Sequence, residues 1–324
     1  MHPKFRLFAQ KIDRQIERLI VFWRYVVVQT KRIKLPFFEG LSIYDVATFF
    51  WKGIYEGAVS TRAGSISFSF FMALFPALIF VFTLIPYIPI DGFQEEIFTI
   101  LQDIMPPTSY ELAESTIVDI VSIKRSDLLW ITLITSLIFA TNGTLSLISN
   151  FSITFHKIAF KGFWQQYVSA VVLTIALSIL AMISIALLSL GESVFGWMAL
   201  RGWLDQDFVW LLQISRTITL LFTILFAISL LYNFGPIKGK QWRFISPGSL
   251  LATTLVIVSS LAFGYYVDNF AQYNKLYGSI GTLLVIMLWI YINAIGLIIG
   301  FELNVSIAGV KYKQQAERDM FSKL

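Results

Sequence analysis

Residues Tyr277–Val310 read YGSIGTLLVIMLWIYINAIGLIIGFELNVSIAGV, and between Ser279 and Phe301 this stretch carries no charge. About 20 apolar residues cross a hydrocarbon core of about 30 Å. The run is therefore long enough to span a bilayer, and the rest of the chain can be read outward from it. Composition agrees: of 324 residues, 56% are hydrophobic and only 14% charged, where soluble domains carry about 25% charged residues. The mean hydropathy is +0.71.

Five more apolar runs precede it. The spans are expected at Ile66–Ile90, Leu128–Ile148, Val168–Leu190, Phe208–Phe234, Ser249–Val267 and Ser279–Phe301. Pro76 lies inside the first and leaves the carbonyl of Met72 without its intrahelical donor, so a kink is expected there. Ahead of the spans, Ile12, Ile16, Leu19, Ile20, Trp23 and Val27 recur at helical spacing among Lys11, Arg14, Arg18 and Arg24. That pattern describes an amphipathic helix on a bilayer surface, over Phe5–Lys34. A second interfacial helix is expected over Ile43–Val59, with Trp51 and Tyr55 at headgroup level. The loop Asp91–Asp127 holds eight acidic and two basic residues, and is read as two short amphipathic helices separated by Pro106 and Pro107. The fold class is thus all-α: a bundle of six transmembrane helices with N-terminal surface helices and a helical external loop. The organisation is 1–64 interfacial, 65–310 membrane domain and 311–324 tail.

Charge sets the expected orientation. Of 25 Lys and Arg, 20 fall on the side that holds both termini; Lys124, Arg125, Arg201 and Lys275 fall on the other, and Arg216 lies within a span. The positive-inside rule then puts both termini in the cytoplasm. The net charge of +5 fits anionic lipid at that face and does not call for nucleic acid. Cysteine is absent, which removes disulfides and thiolate metal sites. His2 and His156 stand far apart. No metal cluster, phosphate loop or nucleophile–base pair points to an enzyme, and no cofactor is called for.

Polar residues inside spans are the informative ones, because each is costly in lipid. Thr132, Thr135, Ser136, Asn142, Gly143 and Ser146 form a polar stripe in the second span. Gln213, Arg216 and Thr223 form another in the fourth, and Thr282, Asn293, Gly296, Gly300 and Asn304 a third in the last. These stripes either line a polar cavity or pack helices closely through small residues. Arg216 lies about 12 Å into its span, and either faces that cavity or snorkels to the headgroups. Asn142, Arg216 and Asn293 are the candidate cavity residues. Glu302, on a different face from Asn293 and Gly300, has Arg62 as a candidate partner at similar depth, or else is a solvated interfacial carboxylate. Pro76, Gly296 and Gly300 are read as structural.

Several stretches together resemble the YihY/BrkB family of bacterial inner-membrane proteins. They are Arg62-Ala-Gly-Ser-Ile-Ser-Phe68 running to Leu74-Phe-Pro76; Tyr232-Asn-Phe-Gly-Pro236 with Trp242-Arg243 and Pro247-Gly248; Tyr277-Gly-Ser279; Leu288-Trp-Ile-Tyr291; and Gly300-Phe-Glu-Leu-Asn304. Phe301 stands where the family pattern has a small residue. The resemblance covers about residues 40–310 and implies a six-span inner-membrane protein whose activity is unsettled. Its members have carried the labels ribonuclease BN and serum-resistance factor. The nuclease label fits these residues badly. The expected function is a transporter, channel-like or lipid-handling protein with a polar cavity, acting on a small solute or lipid. The alternative is an envelope scaffold working through the basic N-terminal surface and the acidic loop.

Overall fold

The computed structural model describes residues 29, 41–87, 126–154, 160–201, 209–235, 237, 245–270 and 279–321. Apart from Gln29, the expected surface helix at 5–34 lies outside the described residues, as does nearly all of the loop at 91–127. The rest is helical: α1 Ile43–Glu56, α2 Val59–Leu84, α3 Ser126–Ser152, α4 Phe163–Leu200, α5 Val209–Phe234, α6 Pro247–Phe270 and α7 Ser279–Phe321. Six of them, α2 to α7, are long and apolar enough to cross a membrane.

Local chemistry sets the helix ends. At the start of α1, Ser42 Oγ accepts from the Asp45 amide at 3.1 Å and donates to Asp45 Oδ2 at 2.8 Å. Ser42 thus caps the first turn, and Asp45 answers its hydroxyl rather than its amide. At the start of α6, the Ser246 and Ser249 hydroxyls accept from each other's amides at 3.1 and 2.9 Å. Pro247, the first helical residue, loses no bond there.

Between α1 and α2 the chain turns on Gly57 and Ala58 alone; Ala58 is left-handed at φ 46°. The turn is so short that α2 begins at Val59, seven residues before the expected span, and the 64/65 boundary falls inside a helix. The helix runs on through Pro76, then tightens into a 3-10 turn at Ile85–Tyr87. Likewise α7 crosses the expected 310/311 boundary and continues to Phe321.

The spans form a closed ring in chain order. Each of α2 to α6 packs on the next, α7 returns to α2, and α1 packs on α7. We call the end nearest α1 the base. Burial concentrates there. On α7 the buried residues Ala294, Ile298, Phe301 and Val305 repeat at helical spacing and face the core. Below them, Ile307 and Val310 meet Leu41 and Val46 of the α1 segment.

Candidate functional site

Three alternate helices of the ring meet at the base through aromatic rings. Phe151 of α3 and Phe301 of α7 stack with centroids 4.4 Å apart and planes at 10°. Tyr232 of α5 sets its ring edge-on against both, at 5.7 Å from each. Its hydroxyl donates to the Leu297 carbonyl at 2.6 Å. Offset and edge-to-face rings at these spacings attract beyond their burial. The triad therefore closes the middle of the ring at one level.

Beside it lies a buried charge pair. Arg62 Nη1 stands 2.6 Å from Glu302 Oε1, with the two side chains 2% and 0% exposed. Arg62 Nε donates to the Asn150 carbonyl at 2.7 Å and Nη1 also to that of Gly57 at 3.2 Å. Thr154 Oγ1 donates to Glu302 Oε2 at 2.9 Å. The site thus joins the α1–α2 turn, α2, the end of α3 and α7. Asn150 precedes Phe151 and Glu302 precedes none of the rings but follows Phe301, so the charged layer and the aromatic layer are neighbours in sequence as well as in space. Among the described residues, Arg62 Nη2 is buried and has no hydrogen-bond partner.

On the other flank of α7, the stripe of small residues faces α6. A Cβ at Gly296 would lie 3.3 Å from Leu255, and one at Gly300 only 2.6 Å from Ala252 Cβ and 2.7 Å from the Tyr232 hydroxyl. Asn304 locks this contact: its Oδ1 accepts from the Gly248 amide at 2.9 Å and its Nδ2 donates to Ser246 Oγ at 2.9 Å. Lys161, in the turn before α4, ties in α5. Its Nζ donates to the Phe234 carbonyl and to Ser169 Oγ, both at 3.0 Å. A cation at a helix C-terminus complements the exposed carbonyls; burial holds this ammonium below the usual lysine range.

Away from the base burial falls off. Leu137, Leu221, Ile214 and Leu283 lie about three to five whole turns from Phe151, Tyr232 and Phe301 on the same helices, and so on the same faces. They are nevertheless 45%, 41%, 44% and 40% exposed. All four positions are apolar. The neighbouring hydroxyls are mostly spent on their own helices: Thr132, Thr135 and Ser136 each donate to a carbonyl three or four residues back. Others pair between helices, Thr174 with Thr144 at 3.0 Å and Ser184 with Thr223 at 2.7 Å.

The three candidate cavity residues lie on different surfaces. Asn142 is exposed and stands about two and a half turns from Phe151, so it points away from the centre of the ring. Arg216 is exposed too and shares a face of α5 with Thr223, the face turned to α4. Asn293 sits in the α6–α7 seam, where its Oδ1 accepts from Ser260 at 3.3 Å and its Nδ2 donates to the Trp289 carbonyl at 2.9 Å. Sequence reasoning missed the roles of Phe151, Tyr232, Phe301, Asn150 and Thr154. The one signal available was Phe301 itself, bulky where the family pattern is small.

The model of the family described as virulence factor BrkB matches residues 50–322. A ribonuclease-like protein by name, YfkH of Bacillus subtilis (strain 168), is 27% identical over 258 residues, which cover 78% of this chain and 90% of that one. UPF0761 membrane proteins of Xanthomonas campestris pv. campestris (strain B100) and Xanthomonas axonopodis pv. citri (strain 306) are each 24% identical over 280 residues. Those alignments cover 83% of this chain but only 62% and 63% of theirs. No solved structure matches the chain.

Proposed function

We propose, from the premise that this chain belongs to the virulence factor BrkB family of multi-pass membrane proteins, that it moves an amphipathic molecule, a membrane lipid in the first place, between the leaflets. The observation that carries this reading is the contrast along the ring axis. At the base, Phe151, Tyr232 and Phe301 fill the centre; beyond it, Leu137, Ile214, Leu221 and Leu283 share their faces and stay accessible. An opening walled by leucine and isoleucine offers little to a hydrated ion, which needs polar groups to replace its water. It suits an acyl chain. The base lies on the cytoplasmic side in this reading, supported by the 20 basic residues that flank the spans there, and the membrane is a bacterial inner membrane.

The test is reconstitution of the full chain in liposomes that carry a tail-labelled fluorescent phospholipid, with a membrane-impermeant reductant added outside. Faster loss of the inner-leaflet signal than in protein-free liposomes is expected. Phe151→Ala, which thins the plug, is expected to raise that rate. Vesicles of the same preparation that show no lipid movement, yet swell in a salt or small-solute gradient in a protein-dependent way, would overturn the lipid reading in favour of solute transport.

A further inference from the structure

We propose that the outward face of α3 is a self-association seam, through which two copies of this chain pair in the bilayer about a two-fold axis along the membrane normal. The seam is independent of what the ring transports. Asn142 sits at its middle, exposed and turned away from the aromatic triad, and among the described residues its side chain makes no hydrogen bond. One heptad before it is Thr135 and one heptad after it is Ser149; between and beyond them come Ile131, Ile138 and Leu145. The spacing alternates four and three residues, which is the seam of a left-handed helix pair. Ile131 and Ile138 are exposed at 61% and 52%, and Leu145 and Ser149 are half-buried.

The seam has one unmet need. Thr135 already donates to the Ile131 carbonyl at 2.6 Å, and Ser149 donates to Gln166 at 3.3 Å. The Asn142 amide alone would face acyl chains, which offer it neither donor nor acceptor. A two-fold axis places the same amide opposite, and each carbonyl oxygen then accepts from the other's NH2. An isologous contact of this kind satisfies both copies at once. An Asn at such a seam position also fixes register and copy number in soluble coiled coils. The parallel arrangement lets both copies insert in the same direction.

The chain contains no cysteine, so one introduced thiol reports alone. Thr135→Cys, in the otherwise unchanged full chain at low density in membrane vesicles, is expected to form a disulfide-linked dimer on mild oxidation. Leu261→Cys, on the exposed side of α6 (71%), is expected to stay monomeric. Adding Asn142→Leu to Thr135→Cys removes the amide from a lipid-facing position and is expected to lower cross-linking about threefold to twentyfold, the span of interhelical polar contacts in membranes. Asn142→Gln is expected to restore part of it. Equal cross-linking at both thiol positions, full cross-linking without the amide, or a cross-linked product containing a different protein would overturn the proposal. Single-molecule photobleaching of the Asn142→Leu chain, shown folded by an unchanged unfolding temperature, reads the same equilibrium without oxidation.

Discussion

The two halves of the ring solve the same problem differently. At the base, six helices and α1 bury a charge pair, a stacked pair of rings with a third set edge-on, and a glycine contact between α6 and α7. In the far half the same helices hold together mainly as neighbours in the ring, and core-facing positions such as Leu137 and Leu283 remain 45% and 40% exposed. Hydrophobicity does not explain the difference, since both halves are apolar and lipid is as apolar as leucine. The base concentrates directional chemistry: Arg62 to Glu302, Asn304 to Gly248, Tyr232 to Leu297 and Lys161 to Phe234 each tie together helices that lipid-like side chains would leave free to separate.

The base is most sensitive at the charge pair. Glu302→Ala leaves the Arg62 guanidinium buried without its counter-charge, and a loss of about 3–5 kcal/mol is expected. Replacing both partners, Arg62→Met with Glu302→Leu, is expected to recover most of that loss, because two buried charges also carry a desolvation cost. Unfolding in mixed micelles checks both variants. Recovery in the double variant would mean that the pair specifies the arrangement of α2 against α7 more than it stabilises it. A double variant as unstable as Glu302→Ala would instead assign the net stabilisation to the bonds from Asn150, Gly57 and Thr154.

Next in size is the contact of α6 and α7. Gly300→Ala puts a methyl 2.6 Å from Ala252 Cβ and 2.7 Å from the Tyr232 hydroxyl, with helix backbone behind. Overpacking of this kind costs about 1–3 kcal/mol, read again as a lower unfolding midpoint. Smaller still is Tyr232→Phe. It keeps the ring in the triad and removes the bond to the Leu297 carbonyl, for a loss of about 0.5–1.5 kcal/mol.

These sites also show which features the sequence discloses. Span positions were legible because apolar length alone reports them; α3 to α7 begin within a few residues of expectation. Only the α1–α2 turn hid the true start of α2, because a two-residue break leaves no polar loop to see. The small-residue stripe of α7 was legible as a stripe, but not as the surface that meets Gly248. Asn142 and Gly143 stand side by side in sequence, yet Gly143 lies against Phe70 while Asn142 faces outward. A polar stripe drawn on one helix cannot tell those sides apart. The hydroxyl-rich α3 misled in a second way: serine and threonine satisfied by their own backbone need neither water nor a cavity. The aromatic triad was illegible for a different reason. Its three rings come from alternate helices of a ring, and no periodicity within one helix says which faces converge.

The smallest expected effect sharpens the contrast most cleanly, because it repeats the glycine test in the far half. Gly264 lies on α6, on the same helix as Gly248, and a Cβ added there would meet nothing within 4 Å. Helix propensity then decides alone, and alanine is favoured over glycine by at most about 1 kcal/mol in water. Gly264→Ala is therefore expected to leave the unfolding midpoint unchanged or slightly raised, where Gly300→Ala lowers it. A loss at Gly264 comparable to that at Gly300 would mean that the far ends of α6 and its neighbours close tightly in the membrane. The opening lined by Leu137, Leu221 and Leu283 would then not persist there, and the lipid reading would lose the observation on which it rests.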